Sequence, residues 1–421
     1  MKKIYLLKYL LPFAILGCLN ISLRAQNISV THNGTIENGS INNLVDGDVS
    51  TAVKIKAPTG ENLKITVDFN GDNVFNSYSL AMANYQQFAP LWGDIADKGH
   101  LGLDGIYWNV TGNYYNQALR ADGTPHEGFN YWWHAHILDI LIDAYIRTGD
   151  NAYKTKISTL CNGIYAKNGN KWAISFYDDM EWMGLSLLRA YEATGVTEYK
   201  DIAKYLWGVI KNGWTDDVKN GGIMWETGSP NSKNACSNGP AMILGARIYA
   251  MDGDTEDLAF TKKIYDWMAE YLVDERGVVW DAYGNFNESN VYTYNIGTWI
   301  GGCLELWRIT GESKYKDAAL KSATYTVSDT KRLSVDGILR SLDRGDGGLF
   351  GIIFMRYLSQ LILHGDLDAS TKKMYTDYFE RNSLSVLGRG SMIFNSHLMF
   401  GRAWRSQPTA DDLSSYTQTA E

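Results

Sequence analysis

Apolar residues recur along most of the chain with a helical period, in pairs of unlike helices joined at a glycine. In "SFYDDMEWMGLSLLRAYEATG" (175–195) they occupy nearly every side: Met180, Trp182, Met183, Leu185, Leu187, Leu188 and Tyr191, with Gly184 and Ala190 for close approach. A helix that is apolar all round is a buried one. The run from Glu198 differs. Ile202, Leu206, Val209 and Ile210 share one face and Lys200, Asp201, Lys204 and Lys211 the other, which predicts an outer, amphipathic helix. The same order returns in "LIDAYIRTGDNAYKTKI", "GARIYAMDGDTEDLAF" and "CLELWRITGESKYKDAA", and more weakly in "LSQLILHGDLDASTKKM". The turn glycines Gly149, Gly195, Gly253, Gly311 and Gly365 stand about 46 to 58 residues apart, each suited to a left-handed helix cap. Inner helices alternating with outer ones about six times predict an all-α fold, an (α/α)6 barrel of helical hairpins. An open solenoid fits the same repeat.

The pattern fails at both ends. Residues 26–72 are polar and strand-like, as in "NLKITVDFNG", and form a short N-terminal extension. The helical domain is expected over 73–408, with 73 to about 92 as its first outer helix, and 409–421 as a polar tail. At the start, Lys2 and Lys3 precede an apolar run from Ile4 to Cys18, which reads as an export signal. Cleavage after Ala25 gives a 1–25 signal peptide; "ILGC" (15–18) alternatively makes Cys18 a lipidated residue. The protein is thus expected to be periplasmic, on the cell surface or secreted, touching a membrane only through Cys18. No later segment reads as long and apolar enough to span a bilayer. Asp68, Asn70 and Asp72 have the spacing of a calcium loop, but the sixth and twelfth positions are Asn73 and Ser79, so a plain turn is the better reading.

Composition narrows the partners. The chain has 421 residues and a formal net charge of -8, which argues against nucleic acid and against anionic membrane surfaces. Its 14 Trp and 27 Tyr suit flat apolar sugar faces edged with hydroxyls. Cys161, Cys236 and Cys303 have no metal-like spacing and read as small buried hydrophobes. A monomer without metal or cofactor is expected.

The candidate chemistry lies ahead of the inner helices. "YWWHAH" precedes or opens the first, Asp178–Asp179 the second, "GGIMWETGSPNSKNACSNG" the third, "YTYNIG" the fourth and "DRGDGGLFG" the fifth. In a barrel of hairpins these ends share one rim. The aspartate pair has a bland explanation, with Asp178 as an N-cap and Glu181 as its capping-box partner. One cap needs one carboxylate, however, and Phe176, Tyr177 and Trp182 make both charges costly to desolvate. Neighbouring carboxylates split their proton affinities, leaving one as nucleophile and one as acid. Adjacent residues can hold carboxyls about 5 Å apart, the separation of retaining glycosidases.

Together "FYDDMEWMGLSLLRAY", "GGIMWE…SKNACSNG", "YTYNIG…LWRITG" and "GDGGLFGIIFMRYL" resemble glycoside hydrolase family 76, the α-1,6-mannanases, over roughly 75–405. The resemblance implies an (α/α)6 barrel that hydrolyses α-1,6-linked mannan with retention and without a cofactor. It implies Asp178 as nucleophile and Asp179 as general acid/base. Around them, Trp133 and Trp225 are candidate sugar platforms or core residues. Asn234, Asn238, Tyr294 and Asn295 reach mannose hydroxyls or cap helices, and Asp346 binds sugar or makes a turn. His134 and His136 read as structural. Endo and exo action both remain open, as do another α/α-barrel glycosidase and a non-catalytic mannan-binding protein.

Overall fold

The computed structural model describes residues 89–119, 124–340 and 345–409, and ahead of them Ser40 and seven strands. These strands are β1 (Lys3–Leu6), β2 (Ile15–Asn20), β3 (Ile28–His32), β4 (Thr35–Asn38), β5 (Val53–Lys56), β6 (Ile65–Phe69) and β7 (Ser79–Met82). They form two antiparallel sheets, ordered β1-β6-β3 and β4-β5-β2-β7. β3 to β6 fall within the 26–72 extension; β1 and β2 fall in the segment read as an export signal, with Cys18 opposite Ala81. β7 corrects the helix expected over 73–92. Ser79–Met82 pairs residue by residue with β2, so its backbone groups are satisfied by a neighbouring strand rather than within a helix. Asp68 lies in β6 between Lys3 and Ser29, while Asn70 and Asp72 of the calcium spacing lie outside the described residues. The 409–421 tail does so too from residue 410.

Helix α1 (Ala89–Tyr107) opens the helical part. Five hairpins follow: α2 (Tyr131–Thr148) with α3 (Asn151–Lys167), α4 (Tyr177–Thr194) with α5 (Thr197–Lys211), and α6 (Gly239–Asp252) with α7 (Thr255–Tyr271), then α8 (Thr293–Thr310) with α9 (Ser313–Ser328), and α10 (Asp346–His364) with α11 (Ala369–Gly388). The hydrophobic pattern explains which helix goes where. α4 buries Met180, Trp182, Met183, Leu185, Leu187 and Leu188, whereas α5 buries Leu206, Trp207 and Ile210 and turns Asp201 and Lys204 to solvent. The inner helices α2, α4, α6, α8 and α10 neighbour one another in that order. Side chains bridge the seam between the last and the first. Arg356 Nη1 on α10 reaches Asp139 Oδ2 on α2 at 2.6 Å and His136 Nδ1 at 3.2 Å. The fold is an (α/α)6 barrel, of which eleven helices, five of them inner, lie among the described residues.

Gly149, Gly195, Gly253 and Gly311 end their helices at φ of 68°, 74°, 72° and 71°, each N–H donating to a carbonyl four residues back. The fifth glycine departs from that expectation. Gly365 has φ −84°, and the left-handed residue is Asp366 at 47°. Glycine is needed there for space, since a Cβ would stand 2.5 Å from the Leu361 carbonyl oxygen. One further expectation is corrected. α10, with 19 residues and a mean hydropathy of 1.2, is long and apolar enough to cross a membrane. Its Ile353, Phe354, Leu358 and Leu361 are instead buried in the barrel.

Candidate active site

The chain enters α4 in extended form. Phe176 is the N-cap and makes no side-chain cap bond, so Asp178 and Asp179 stand in the first turn. The capping-box alternative fails here because Asp178 lies two residues inside the helix. Both residues are half-buried, and Asp178 Oδ1 is buried with no hydrogen-bond partner. The loop that carries Trp225 is zipped to the entry strand: Tyr177 N–H donates to the Trp225 carbonyl at 3.0 Å, and Thr227 N–H to the Ser175 carbonyl at 2.8 Å. Trp225 packs on Phe176 at 5.0 Å between ring centroids and donates its indole N–H to Asp178 Oδ2 at 3.3 Å.

Desolvation raises both carboxyls above their ordinary range. For Asp178 the rise is opposed by the Trp225 indole bond and by the donors beside it, the Cys236 thiol and the backbone N–H groups of the first turn. For Asp179 it is reinforced by the charges of Asp178 and Asp346, which push it further. The pair is thereby split into a carboxylate supported by donors and a carboxylic acid surrounded by negative charge. A glycosidase needs such a pair, one carboxyl charged and one carrying a proton.

The other rim clusters surround this pair. Asp346 opens α10 and accepts the Trp133 indole N–H at 2.8 Å and the Trp132 indole N–H at 3.2 Å on one oxygen. Tyr294 stacks on Phe350 at 4.0 Å and hydrogen-bonds the Cys236 thiol. Asn295 Nδ2 donates to Asp281 Oδ1 at 3.0 Å. Burial raises Asp281, and the Asn295 bond opposes that rise.

Sequence comparison now decides the family. The model of glycosyl hydrolase family 76 matches residues 103–420. The chain belongs to that family. The solved α-1,6-mannanase GH76A of Salegentibacter sp. HEL1_6 is 40% identical, with a TM-score of 0.69 over 78% of this chain and 98% of that one. An inactive variant of the same enzyme, with two adjacent aspartates changed to asparagine, was solved in complex with α-1,6-mannotriose (39% identity, TM-score 0.69). Among curated relatives, the mannan endo-1,6-alpha-mannosidase DCW1 of Candida albicans is 26% identical over 219 residues, 45% of this chain and 48% of that protein. The chain spans about half the length of the curated relatives it matches.

Seen as a family 76 barrel, the sequence-predicted residues divide. Asp178, Asp179, Trp225, Tyr294 and Asp346 meet at the rim. Trp225 is 38% exposed, which leaves its ring open to a ligand. Trp133 is 3% exposed, so it is no platform. Its half-exposed neighbour Trp132, beside Trp182 and His136, has the free face instead. Asn238 is fully buried: its Oδ1 accepts from Ile223 N–H at 2.9 Å, and its Nδ2 serves the Ile223 and Asn234 carbonyls at 3.1 and 2.8 Å. It fastens the Trp225 loop and has nothing left for a sugar. Asn295 is also fully buried and acts on Asp281. Asn234 is half-buried and accepts from Ser232 Oγ at 3.1 Å.

Reading the sequence missed Asp281, a single acid after an aromatic in "VWDAYG", which no local pattern marks. It also gave Cys236 no place beside Asp178. Burial of the thiol was expected, and burial among these residues pushes its proton affinity well up, so it remains a donor. Lys233 was likewise passed over. It is 1% exposed, donates to Thr215 Oγ1 at 2.7 Å and to the Gly222 carbonyl, and is pushed down to about 8 by burial.

Proposed function

We propose that the protein is a retaining endo-α-1,6-mannanase that cleaves the backbone of α-mannan, with Asp178 as nucleophile and Asp179 as general acid/base. The observation that carries this reading is the unequal aspartate pair in the first turn of an inner helix. Asp178 is supported by N–H and S–H donors, and Asp179 is held as an acid by its surroundings. The loss of two adjacent aspartates in the inactive Salegentibacter variant supports it further. In the first step the Asp178 carboxylate attacks the anomeric carbon as Asp179 gives its proton to the departing glycosidic oxygen. In the second, Asp179 takes a proton from water, which attacks the mannosyl ester and frees Asp178, so the α configuration is kept. The donors on Asp178 suit a carboxylate that must leave in the second step, and the half-exposed indoles of Trp225 and Trp132 suit apolar sugar faces.

The start of the chain supports export, with maturation at Gln26 or with a lipid on Cys18. Intact mass of the cell-derived protein separates the two.

Mature protein on linear α-1,6-mannan tests the main reading, with products sized over time beside Asp178→Asn and Asp179→Asn. Mixed oligosaccharides appearing early, with losses of about 1,000-fold or more in both variants, are expected. Mannose as the sole early product would make the enzyme exo-acting. Full activity in either variant would remove the pair from the chemistry.

A further inference from the structure

The first and last inner helices meet at the seam of the barrel, and there two consecutive tryptophans converge on a single carboxylate oxygen. Trp133 Nε1 stands 2.8 Å and Trp132 Nε1 3.2 Å from Asp346 Oδ1. An indole N–H can only donate, so the oxygen it meets must accept. Neither ring is free to release it. Trp133 is packed into the barrel wall, and Trp132 is held edge-on to His136 at 5.4 Å and against Trp182 at 6.4 Å. The backbone aims the group as well: Gly345, directly before it, has φ 80°, which brings the chain into α10 with Asp346 in the first turn. Asp346 remains exposed at the mouth of the barrel, so the clamp fixes a carboxylate that water would otherwise let swing.

We propose that Asp346 is a positioning residue of the catalytic pair, clamped by two indoles of α2 so that one fixed negative charge at the rim keeps Asp179 of α4 the acid. This rests on the roles given to the pair above. The ionisable groups around Asp179 are Asp178 and Glu181 on its own helix, Tyr131 on α2 and Asp346 on α10. Tyr131 is held neutral by burial, and Glu181 by burial first and then by the neighbouring aspartate charge. Asp178 must lose its charge in forming the mannosyl ester, so its influence on Asp179 changes during turnover. Asp346 carries a charge that the reaction does not consume. Its carboxylate is fixed by two indole N–H bonds that cross from α2 to α10.

The test is the pH profile of kcat/KM on two substrates. α-1,6-Mannotetraose has a poor leaving group and needs the acid; a 2,4-dinitrophenyl α-1,6-mannobioside does not. For Asp346→Asn the basic limb on mannotetraose is expected to move down by about 0.5 to 1 pH unit, an exposed charge being weaker than a buried one. The limb on the aryl substrate should stay in place. Trp133→Phe keeps the ring and removes one donor, so it should move the mannotetraose limb in the same direction by less. If Asp346→Asn does not fold, the Trp133→Phe limb decides: movement supports the proposal and a fixed limb overturns it. An unmoved limb with a raised KM would make Asp346 a sugar ligand instead, and an unmoved limb with unchanged KM a bystander; both overturn it. Asp179→Asn is run alongside. If that variant still cleaves mannotetraose, the assignment of the pair has failed and takes the proposal with it. If it is inactive while the Asp346→Asn limb stays put, the proposal alone falls.

Discussion

Glu181 lies one turn below the aspartate pair, has no exposed surface, and neither of its oxygens makes a hydrogen bond of good geometry. Burial first, and then the charge of Asp178, raises it well above its ordinary 4.5, so the folded protein holds a neutral acid there. The unfolded chain releases that proton near pH 4.5 and the folded chain only at higher pH. Stability from this group is therefore complete below 4.5 and is lost as pH rises toward the folded value, by at most about 1.4 kcal/mol per pH unit. Glu181→Gln removes the titration. Urea unfolding at about pH 5 and about pH 8 should show the variant gaining on wild type as pH rises, and a constant difference would mean the acid is ionised in the fold. The residue scale is also where the sequence was least uniformly legible. Two like charges beside an apolar run mark themselves, and Asp178 and Asp179 were visible for that reason. Trp133 was taken as the candidate platform and Trp132 passed over, because the register of one helical turn decides which indole is buried. Asn238 looked like a sugar ligand because an amide's partners are set by backbone atoms from another loop, here those of Ile223.

Helices were more legible, since period and turn chemistry act over many residues at once. The four left-handed glycine caps came straight from "TGD", "TGV", "DGD" and "TGE". Gly365 did not, because its glycine answers a close approach to Leu361 that no local pattern encodes. Ser79–Met82 was misjudged for a related reason: a short apolar run takes the structure its neighbours offer, and here a strand offered it. Glycines of the two kinds should respond differently to the same change. A Cβ on Gly195 meets nothing within 4 Å, so Gly195→Ala carries only the left-handed strain, about 1 to 2 kcal/mol. A Cβ on Gly297 would lie 2.8 Å from the Phe354 Cα, forcing α8 and α10 apart at a cost of about 1 to 3 kcal/mol. α10 carries Asp346, so Gly297→Ala should lower both the melting temperature and kcat/KM, whereas Gly195→Ala should lower only the first. Equal effects of the two on kcat/KM would show that the spacing of α8 and α10 does not reach the site.

Closing the barrel asks something different of its last joint. Between α4 and α6, and between α8 and α10, helices approach through Gly184 on Leu244 and Gly297 on Phe354, contacts of shape. At the seam α10 meets α2 through charge. Asp139 is 3% exposed and is held by Arg356 Nη1 and Arg189 Nη1, both at 2.6 Å, so one carboxylate joins α2 to the last inner helix and to the next one. Burial alone would raise Asp139; the Arg356 and Arg189 charges more than offset that and hold it down at about 2. The adjacent His136, lowered to about 3 by burial and by Arg356, stays neutral and adds no competing charge. Shape contacts tolerate small slips, whereas a carboxylate shared by two guanidinium groups is satisfied in one register. The seam therefore sets where the ring shuts, and with it where Asp346 stands relative to Asp179. Asp139→Asn leaves the half-buried Arg356 with a neutral partner and Arg189 with Asp143 alone, and a loss of about 2 kcal/mol at neutral pH is expected. The depressed value fixes the sign of the pH effect: the wild-type advantage is present above 3.8 and is lost as pH falls through about 2. Unfolding free energies of the two proteins should thus converge at acid pH. Should the gap persist there, the variant's loss comes from packing rather than charge, and the seam would be one more contact of shape.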